Sequence, residues 1–137
     1  MSIIQRMKQP DLGLLLIRLV IGLTYMQFGF KKILSGAPAL EQLGSALEVF
    51  GITTFPLFWG VLAALAELLG GCLVFIGYQF RIAALVLCLV MVIAFIAYFE
   101  GFGPFGSIGM SAWSLQMAAL FLGLALIGPG KYSLDKG

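Results

Sequence analysis

The segment LLLIRLVIG, residues 14–22, is apolar enough for the interior of a membrane, yet it carries Arg18 at its centre. The rest of the chain has the same character. Of its 137 residues, 61% are hydrophobic and 10% are charged, whereas a soluble domain carries about 25% charged residues. A chain of this length forms a single domain, residues 1–137, whose interior is too small to hide so much apolar surface from water. We therefore predict an integral membrane protein.

Four apolar segments are long enough to cross a bilayer, at about residues 12–30, 57–76, 82–99 and 112–127. A helix of roughly 20 residues spans a hydrocarbon core of ~30 Å and satisfies its own backbone hydrogen bonds. The segments are continuously apolar and lack the alternation of transmembrane β-strands. The sequence predicts an all-α fold, an integral membrane four-helix bundle.

Basic residues predict the orientation. With four spans, the two termini and the connection between the second and third spans lie on one side. Five basic residues fall on that side and two on the other, and the positive-inside rule places the richer side in the cytoplasm. We expect a multi-pass protein of the cell (inner) membrane with both termini cytoplasmic. The five residues are Arg6, Lys8, Arg81, Lys131 and Lys136, and the two are Lys31 and Lys32.

The two longer connections differ in pattern. Between the first and second spans, Leu40, Leu43, Leu47 and Phe50 recur at helical spacing with polar residues between them. This pattern predicts a short amphipathic helix on the outer membrane surface within residues 38–50. The third connection, residues 100–111, is rich in glycine, and its glycines together with a proline predict that it is not a regular helix. It either folds over the mouth of the bundle or is a plain connector.

The buried charges Arg18 and Glu67 lie at similar depths when counted from the ends of their helices at 1.5 Å per residue. A lone charge at the middle of a membrane helix costs about 3 kcal/mol on insertion scales. We therefore predict that Arg18 and Glu67 pair inside the bundle. Such a pair is either a structural salt bridge or the lining of a ligand cavity, and the remaining alternative is that the two residues do not meet. Small residues, including Gly22 and Gly29 on the first helix and Ala64 and Gly71 on the second, predict that these two faces pack closely.

Other chemistry is sparse. The chain has no histidine, which excludes a Ser-His-Asp triad and the commonest metal ligand, and we predict no metal site. Cys72 and Cys88 are interpreted as small apolar core residues with free thiols, the alternative being a disulfide or a redox pair across the hairpin. Hydrogen-bonding groups lie toward the outer half of the first and fourth helices, at Thr24, Tyr25, Gln27, Trp113, Ser114 and Gln116.

Three blocks of this sequence resemble the DoxX-like family of small membrane proteins. The first is RLVIGLTYMQFGFKKILSG at residues 18–36, the second AELLGGCLVFIGYQFRIAAL at 66–85, and the third GPGKYSLD at 128–135. The resemblance implies a four-helix membrane protein, and it links the chain to a thiosulfate:quinone oxidoreductase and to redox-stress complexes. Arg18, Lys32, Glu67 and Arg81 match the family pattern. The histidines of many members are absent, so a proton route through them is not open to this chain.

The resemblance implies two classes of function. In the first, the protein is the membrane subunit of a quinone-linked redox or oxidative-stress system, and it holds a non-covalent quinone head group near Arg18, Glu67 and Tyr25. In the second, it is a non-catalytic adaptor, an assembly factor or a small-molecule transporter. Beyond the lipid bilayer, we expect a redox partner protein but no nucleic acid, and a homo-oligomer through Ala119 and Gly123. The candidate ligand-binding residues are Arg18, Tyr25, Gln27, Lys32, Glu67, Arg81 and Gln116.

Overall fold

The computed structural model describes residues 3, 9–99 and 108–135, and all regular structure within these residues is helical. Predictions for the glycine-rich connection at 101–107, and the basic residues Arg6, Lys8 and Lys136 used for orientation, lie outside the described residues. The helices are α1 (Pro10–Leu34), α2 (Ala37–Gly44), a 3-10 helix (Ser45–Phe50), α3 (Pro56–Ile76), α4 (Phe80–Phe99) and α5 (Ile108–Ile127).

Within the described residues, three helices are long and apolar enough to cross a membrane. They are Pro10–Leu34, Pro56–Ile76 and Phe80–Ala97. The fourth candidate, Ser111–Ile127, is apolar but shorter. The all-helical class is confirmed, whereas the count of four spans stays a prediction. The segment between α1 and α3 is helical, but its place on the outer membrane surface also stays a prediction.

Local sequence explains where α1 and α3 begin and where α3 ends. Both helices start with a proline, Pro10 and Pro56, whose fixed φ and missing N–H suit the first helical turn. Helix α3 ends at Ile76, and the residue after it, Gly77, has a φ of 74°, the left-handed conformation that glycine adopts without strain. Helix α5 begins at Ile108 and includes Gly109, so the prediction that the glycines exclude a regular helix was wrong for the last part of that connection.

Helices α1 and α3 are antiparallel and meet almost backbone to backbone. A Cβ added to Gly22 would lie 2.7 Å from the carbonyl oxygen of Gly71, and one added to Gly29 would lie 2.5 Å from the amide nitrogen of Leu68. Close approach through small residues is how membrane helices gain packing energy. The predicted interface between these two helices is therefore confirmed.

Helices α4 and α5 form the second packed pair. Their shared core contains Phe80 and Leu87 of α4 and Phe121 and Leu124 of α5, all buried. Tyr25 of α1 and Val74 of α3 belong to the same buried cluster. The molecule thus consists of an α1–α3 pair and an α4–α5 pair, and the space between the two pairs decides where a ligand can bind.

Candidate functional site

Arg18 is bound to backbone carbonyl groups, not to a carboxylate. It is 2% exposed. Its Nε donates to Val74 O at 3.2 Å and its Nη2 to Phe75 O at 3.1 Å. Its Nη1 donates to Pro129 O at 3.2 Å and Tyr132 O at 2.6 Å. Because the last carbonyls of a helix have no amide partner within the helix, Arg18 satisfies the end of α3 and attaches the segment that follows α5.

The predicted pair between Arg18 and Glu67 is wrong. Glu67 precedes Val74 by seven residues, about 10 Å along a helix axis, and Arg18 lies level with Val74. Helical side chains also lean toward the N-terminus of their own helix. The guanidinium of α1 therefore extends away from Glu67 and toward the end of α3. The depth of a residue along its helix does not include the direction in which its side chain extends, and the predicted pair was wrong for this reason.

Lys32 is the partner of Glu67. Its Nζ lies 2.6 Å from Oε1 and 2.8 Å from Oε2 of the Glu67 carboxylate. The Glu67 side chain is 3% exposed and that of Lys32 is 36% exposed. The same lean toward the helix N-terminus brings the ammonium of Lys32 back along α1 to the carboxylate. The buried carboxylate of Glu67 is thus paired with the ammonium group of Lys32, which is partly exposed at the protein surface.

A cavity of about 480 Å³ adjoins this ion pair and lies between the two helix pairs. Lys32 and Glu67 contribute the charged part of its wall. Aromatic residues contribute another part, since Phe28 and Trp113 pack edge to face with ring centroids 6.2 Å apart. The segment from α2 to the 3-10 helix covers one side. Further lining residues are Leu43, Leu47, Trp59, Leu62, Val86, Leu89, Met91 and Ser114.

Tyr25 lies behind the cavity wall. The hydroxyl group donates to Met91 Sδ at 3.3 Å, and Met91 itself lines the cavity. The ring packs edge to face against Phe28 and Phe121, with centroids 5.5 and 5.0 Å away. Tyr25 therefore supports the cavity from within the core, without forming part of its lining.

The remaining predicted site residues lie elsewhere. Gln27 and Gln116 are exposed and do not line the cavity. Arg81 donates to Ala125 O at 3.0 Å and Leu126 O at 3.3 Å, at the end of α5. The structure thus brings together Lys32 and Glu67, and it places Arg18 and Arg81 at the opposite end of the bundle. Both Cys72 and Cys88 are free thiols.

Comparison with known proteins gives the family. A family model described as DoxX matches residues 13–101, more than half of the chain. The chain belongs to the DoxX family. The DoxX resemblance of its sequence blocks is thereby confirmed, and the matched range contains all of α1 after its first turn, α3 and α4.

Three curated relatives of this DoxX chain come from distant bacteria. It is 32% identical to "Uncharacterized membrane protein Rv3486" of Mycobacterium tuberculosis, over 88% of this chain and 77% of that protein. It is 27% identical to "Putative oxidoreductase CatD" of Bacillus subtilis, over 93% and 88%. It is 28% identical to "Inner membrane protein YqjF" of Escherichia coli, over 94% of each chain. No solved structure matches significantly.

Two residues of this DoxX chain matter more than the sequence indicated. Asp135 accepts hydrogen bonds from the backbone N–H groups of Gln79 and Phe80, at 2.9 and 2.8 Å, and so caps the start of α4. The only indication of Asp135 in the sequence is that it is an acidic residue in the third block that resembles the DoxX-like family. Ser114 was expected only as a hydrogen-bonding group of the outer half, but it is fully buried and lines the cavity.

Proposed function

We propose that this protein is a membrane subunit of a quinone-linked redox or oxidative-stress system, and that it binds a quinone head group beside Lys32 and Glu67. One observation carries the proposal: a cavity of about 480 Å³ with largely apolar walls contains a buried carboxylate, Glu67, that is paired with the partly exposed ammonium group of Lys32. Ligand sites commonly measure about 300–1,000 Å³ and combine apolar walls with a few placed polar groups.

The polar groups of the cavity fit a quinone. An ammonium group has three donors, of which Lys32 directs two at the Glu67 oxygens. The third can bind a carbonyl oxygen of the ligand. An ionised carboxylate has about four acceptor positions, so Glu67 can accept from a hydroxyl group of the reduced form. A bound quinone would supply two-electron, two-proton redox chemistry, while Lys32 and Glu67 bind and orient it.

The cavity also opens toward the lipid. Leu62 of α3 and Leu89 of α4 both line it, and they are 48% and 60% exposed. Both helices are candidate membrane spans, so these exposed leucines face hydrocarbon in a bilayer. A lipid-soluble molecule can enter between them without crossing water. This access supports a ligand that is dissolved in the membrane.

The comparisons support the redox part of the proposal. One relative, from Bacillus subtilis, carries "oxidoreductase" in its name. In this proposal the subunit holds the quinone, and a partner protein delivers the electrons.

Fluorescence quenching in nanodiscs tests the proposal. Trp113 lines the cavity together with Trp59, and a Trp59→Phe background leaves Trp113 as the reporter. We expect saturable quenching by a short-chain quinone. Because Lys32→Met and Glu67→Gln each remove part of the polar wall, each should weaken binding by about tenfold, the equivalent of one hydrogen bond to a charged group.

Gln116→Ala is the matched control, since Gln116 is a polar residue of α5 that is exposed and outside the cavity. Its affinity for the quinone should equal that of the parent. Quenching that rises linearly without saturation would overturn the proposal. Equal affinities for the parent, Lys32→Met and Glu67→Gln would also overturn it.

A further inference from the structure

Ser114 has an unused hydroxyl group at the cavity. The residue is 0% exposed, and its Oγ is a buried polar atom that has no hydrogen-bond partner among the described residues. Leaving a buried hydroxyl unpaired is unfavourable for the folded protein, and buried polar groups are nearly always paired. Because Ser114 lines the cavity, a ligand can provide the missing partner.

Ser114 and the ion pair belong to different walls. Lys32 and Glu67 extend from α1 and α3, which pack against each other through their glycines. Ser114 extends from α5, which packs against α4. A ligand between the two helix pairs therefore meets one polar wall at the ion pair and a second polar contact at Ser114.

The three groups differ in hydrogen-bonding capacity. Lysine only donates, ionised glutamate only accepts, and a serine hydroxyl does both because it rotates freely. Ser114 can therefore donate to a carbonyl oxygen and accept from a hydroxyl group at the same position. A para-quinone and its hydroquinone present these two groups, at opposite ends of one flat ring.

We propose that Ser114 determines specificity by binding the second oxygen of a ligand whose first oxygen binds at Lys32 and Glu67. The site then selects flat rings with two opposed oxygens over rings with one. This inference rests on the proposed function and names the residue that binds the second oxygen.

Two ligands and one substitution test the inference. Binding of 1,4-naphthoquinone and of 1-tetralone, which has a similar two-ring skeleton but one carbonyl group, is measured by calorimetry on the full chain in nanodiscs. We expect Ser114→Ala to weaken binding of 1,4-naphthoquinone by about tenfold, the equivalent of one hydrogen bond. Binding of 1-tetralone should change by less than twofold, because that ligand has no second oxygen that could bind to Ser114.

Thr24→Ala is the matched control, because it removes a hydroxyl group of α1 that is bonded to Val20 O and lies outside the cavity. It should change neither affinity. The melting temperature without ligand provides a second readout. Since the hydroxyl of Ser114 has no protein partner in the described residues, its removal should not lower that temperature, whereas a purely structural serine would lower it.

The outcomes separate this inference from the proposed function. If the parent binds 1,4-naphthoquinone and Ser114→Ala weakens both ligands equally or neither, the role of Ser114 is overturned and quinone binding stands. If the parent does not bind 1,4-naphthoquinone, both proposals are overturned.

Discussion

At the scale of single residues, Arg18 shows how a guanidinium is accommodated in an apolar helix. Its donors are arranged as a planar fork, and four backbone carbonyl oxygens from two parts of the chain accept from it, two at the end of α3 and two in the segment 128–135. In lipid, an unsatisfied backbone group costs several kcal/mol. A Cβ at Gly77 would lie 2.7 Å from Arg18 Nη2, so glycine at this position also leaves room for the guanidinium.

Arg18→Met should therefore destabilise the protein by about 3 kcal/mol or more, because it removes charged hydrogen bonds and leaves buried acceptors unpaired. Arg18→Lys should recover only part of this loss, since a single ammonium cannot reach all four carbonyl groups. The free energy of unfolding in mixed micelles measures both effects.

The same measurement separates the two buried charges. Arg18 and Glu67 share no partner, so Arg18→Met and Glu67→Leu should be additive within about 0.5 kcal/mol. Lys32→Met with Glu67→Leu is the positive control. That double mutant should be more stable than the sum of its single mutants predicts, because each single change leaves a charge unpaired. Rescue of Arg18→Met by Glu67→Leu would show that the observed pairing is wrong.

At the scale of elements, the segment 128–135 stabilises the ends of two helices, α3 and α4. Tyr132 O accepts a hydrogen bond from Arg18 of α1, and Leu134 N donates to Ile76 O at the end of α3. Asp135 caps α4, where its negative charge also suits the positive end of the helix dipole. Arg81 supports the end of α5 in the same region. Hydrogen bonds therefore fix this segment to the ends of the helices.

Asp135→Ala should destabilise the protein by about 1 kcal/mol, the typical effect of losing an N-cap. Faster amide exchange should appear at Gln79 and Phe80, whose N–H groups lose their acceptor. Asp135→Asn should have a smaller effect because one acceptor oxygen remains. Lys131→Ala, a neighbouring exposed position, is the control, and equal exchange in all variants would contradict the capping role.

The success of prediction from sequence depended on how local the signal was. The ends of the four long helices were predicted within about four residues because apolar runs and their proline and glycine boundaries are local. The close packing of the helix faces that carry Gly22 and Gly71 was predicted because small residues repeat along those faces. The partner of Glu67 depends on side-chain direction and on the alignment of α1 with α3, which neither helix specifies alone. The position of the cavity depends on how the two helix pairs are spaced, which no single helix specifies. The capping role of Asp135 was not predicted because its segment has no periodic pattern.

At the scale of the whole molecule, the cavity and the cluster around Arg18 lie at opposite ends. The orientation of the protein in the membrane therefore decides which aqueous side the exposed part of the Lys32 side chain faces. With both termini cytoplasmic, it faces the outer side. In a background of Cys72→Ala and Cys88→Ala, an impermeant maleimide should label Gln42→Cys on intact cells and Lys131→Cys only after permeabilisation. The reverse pattern would invert the topology.

The predicted homo-oligomer is tested at Gly123. A Cβ added there meets no described atom within 4 Å, so Gly123→Leu should leave the subunit stable. If Ala119 and Gly123 form the interface, the substitution should convert dimers to monomers in analytical ultracentrifugation. Gly22→Leu is the contrasting control, since it clashes with Gly71 and should destabilise the subunit itself. A parent that is already monomeric in lipid would contradict the prediction.

The contacts of Arg18 also have a consequence for the timing of synthesis. Val74 lies 56 positions after Arg18 and Tyr132 lies 114 positions after it. At translation rates of about 5–20 residues per second, these carbonyls follow Arg18 by roughly 3–11 s and 6–23 s. A growing chain therefore carries this guanidinium for seconds before its acceptors exist. We expect α1 to stay near the water boundary or the insertion machinery during that interval, and to reach its final depth only after segment 128–135 has emerged.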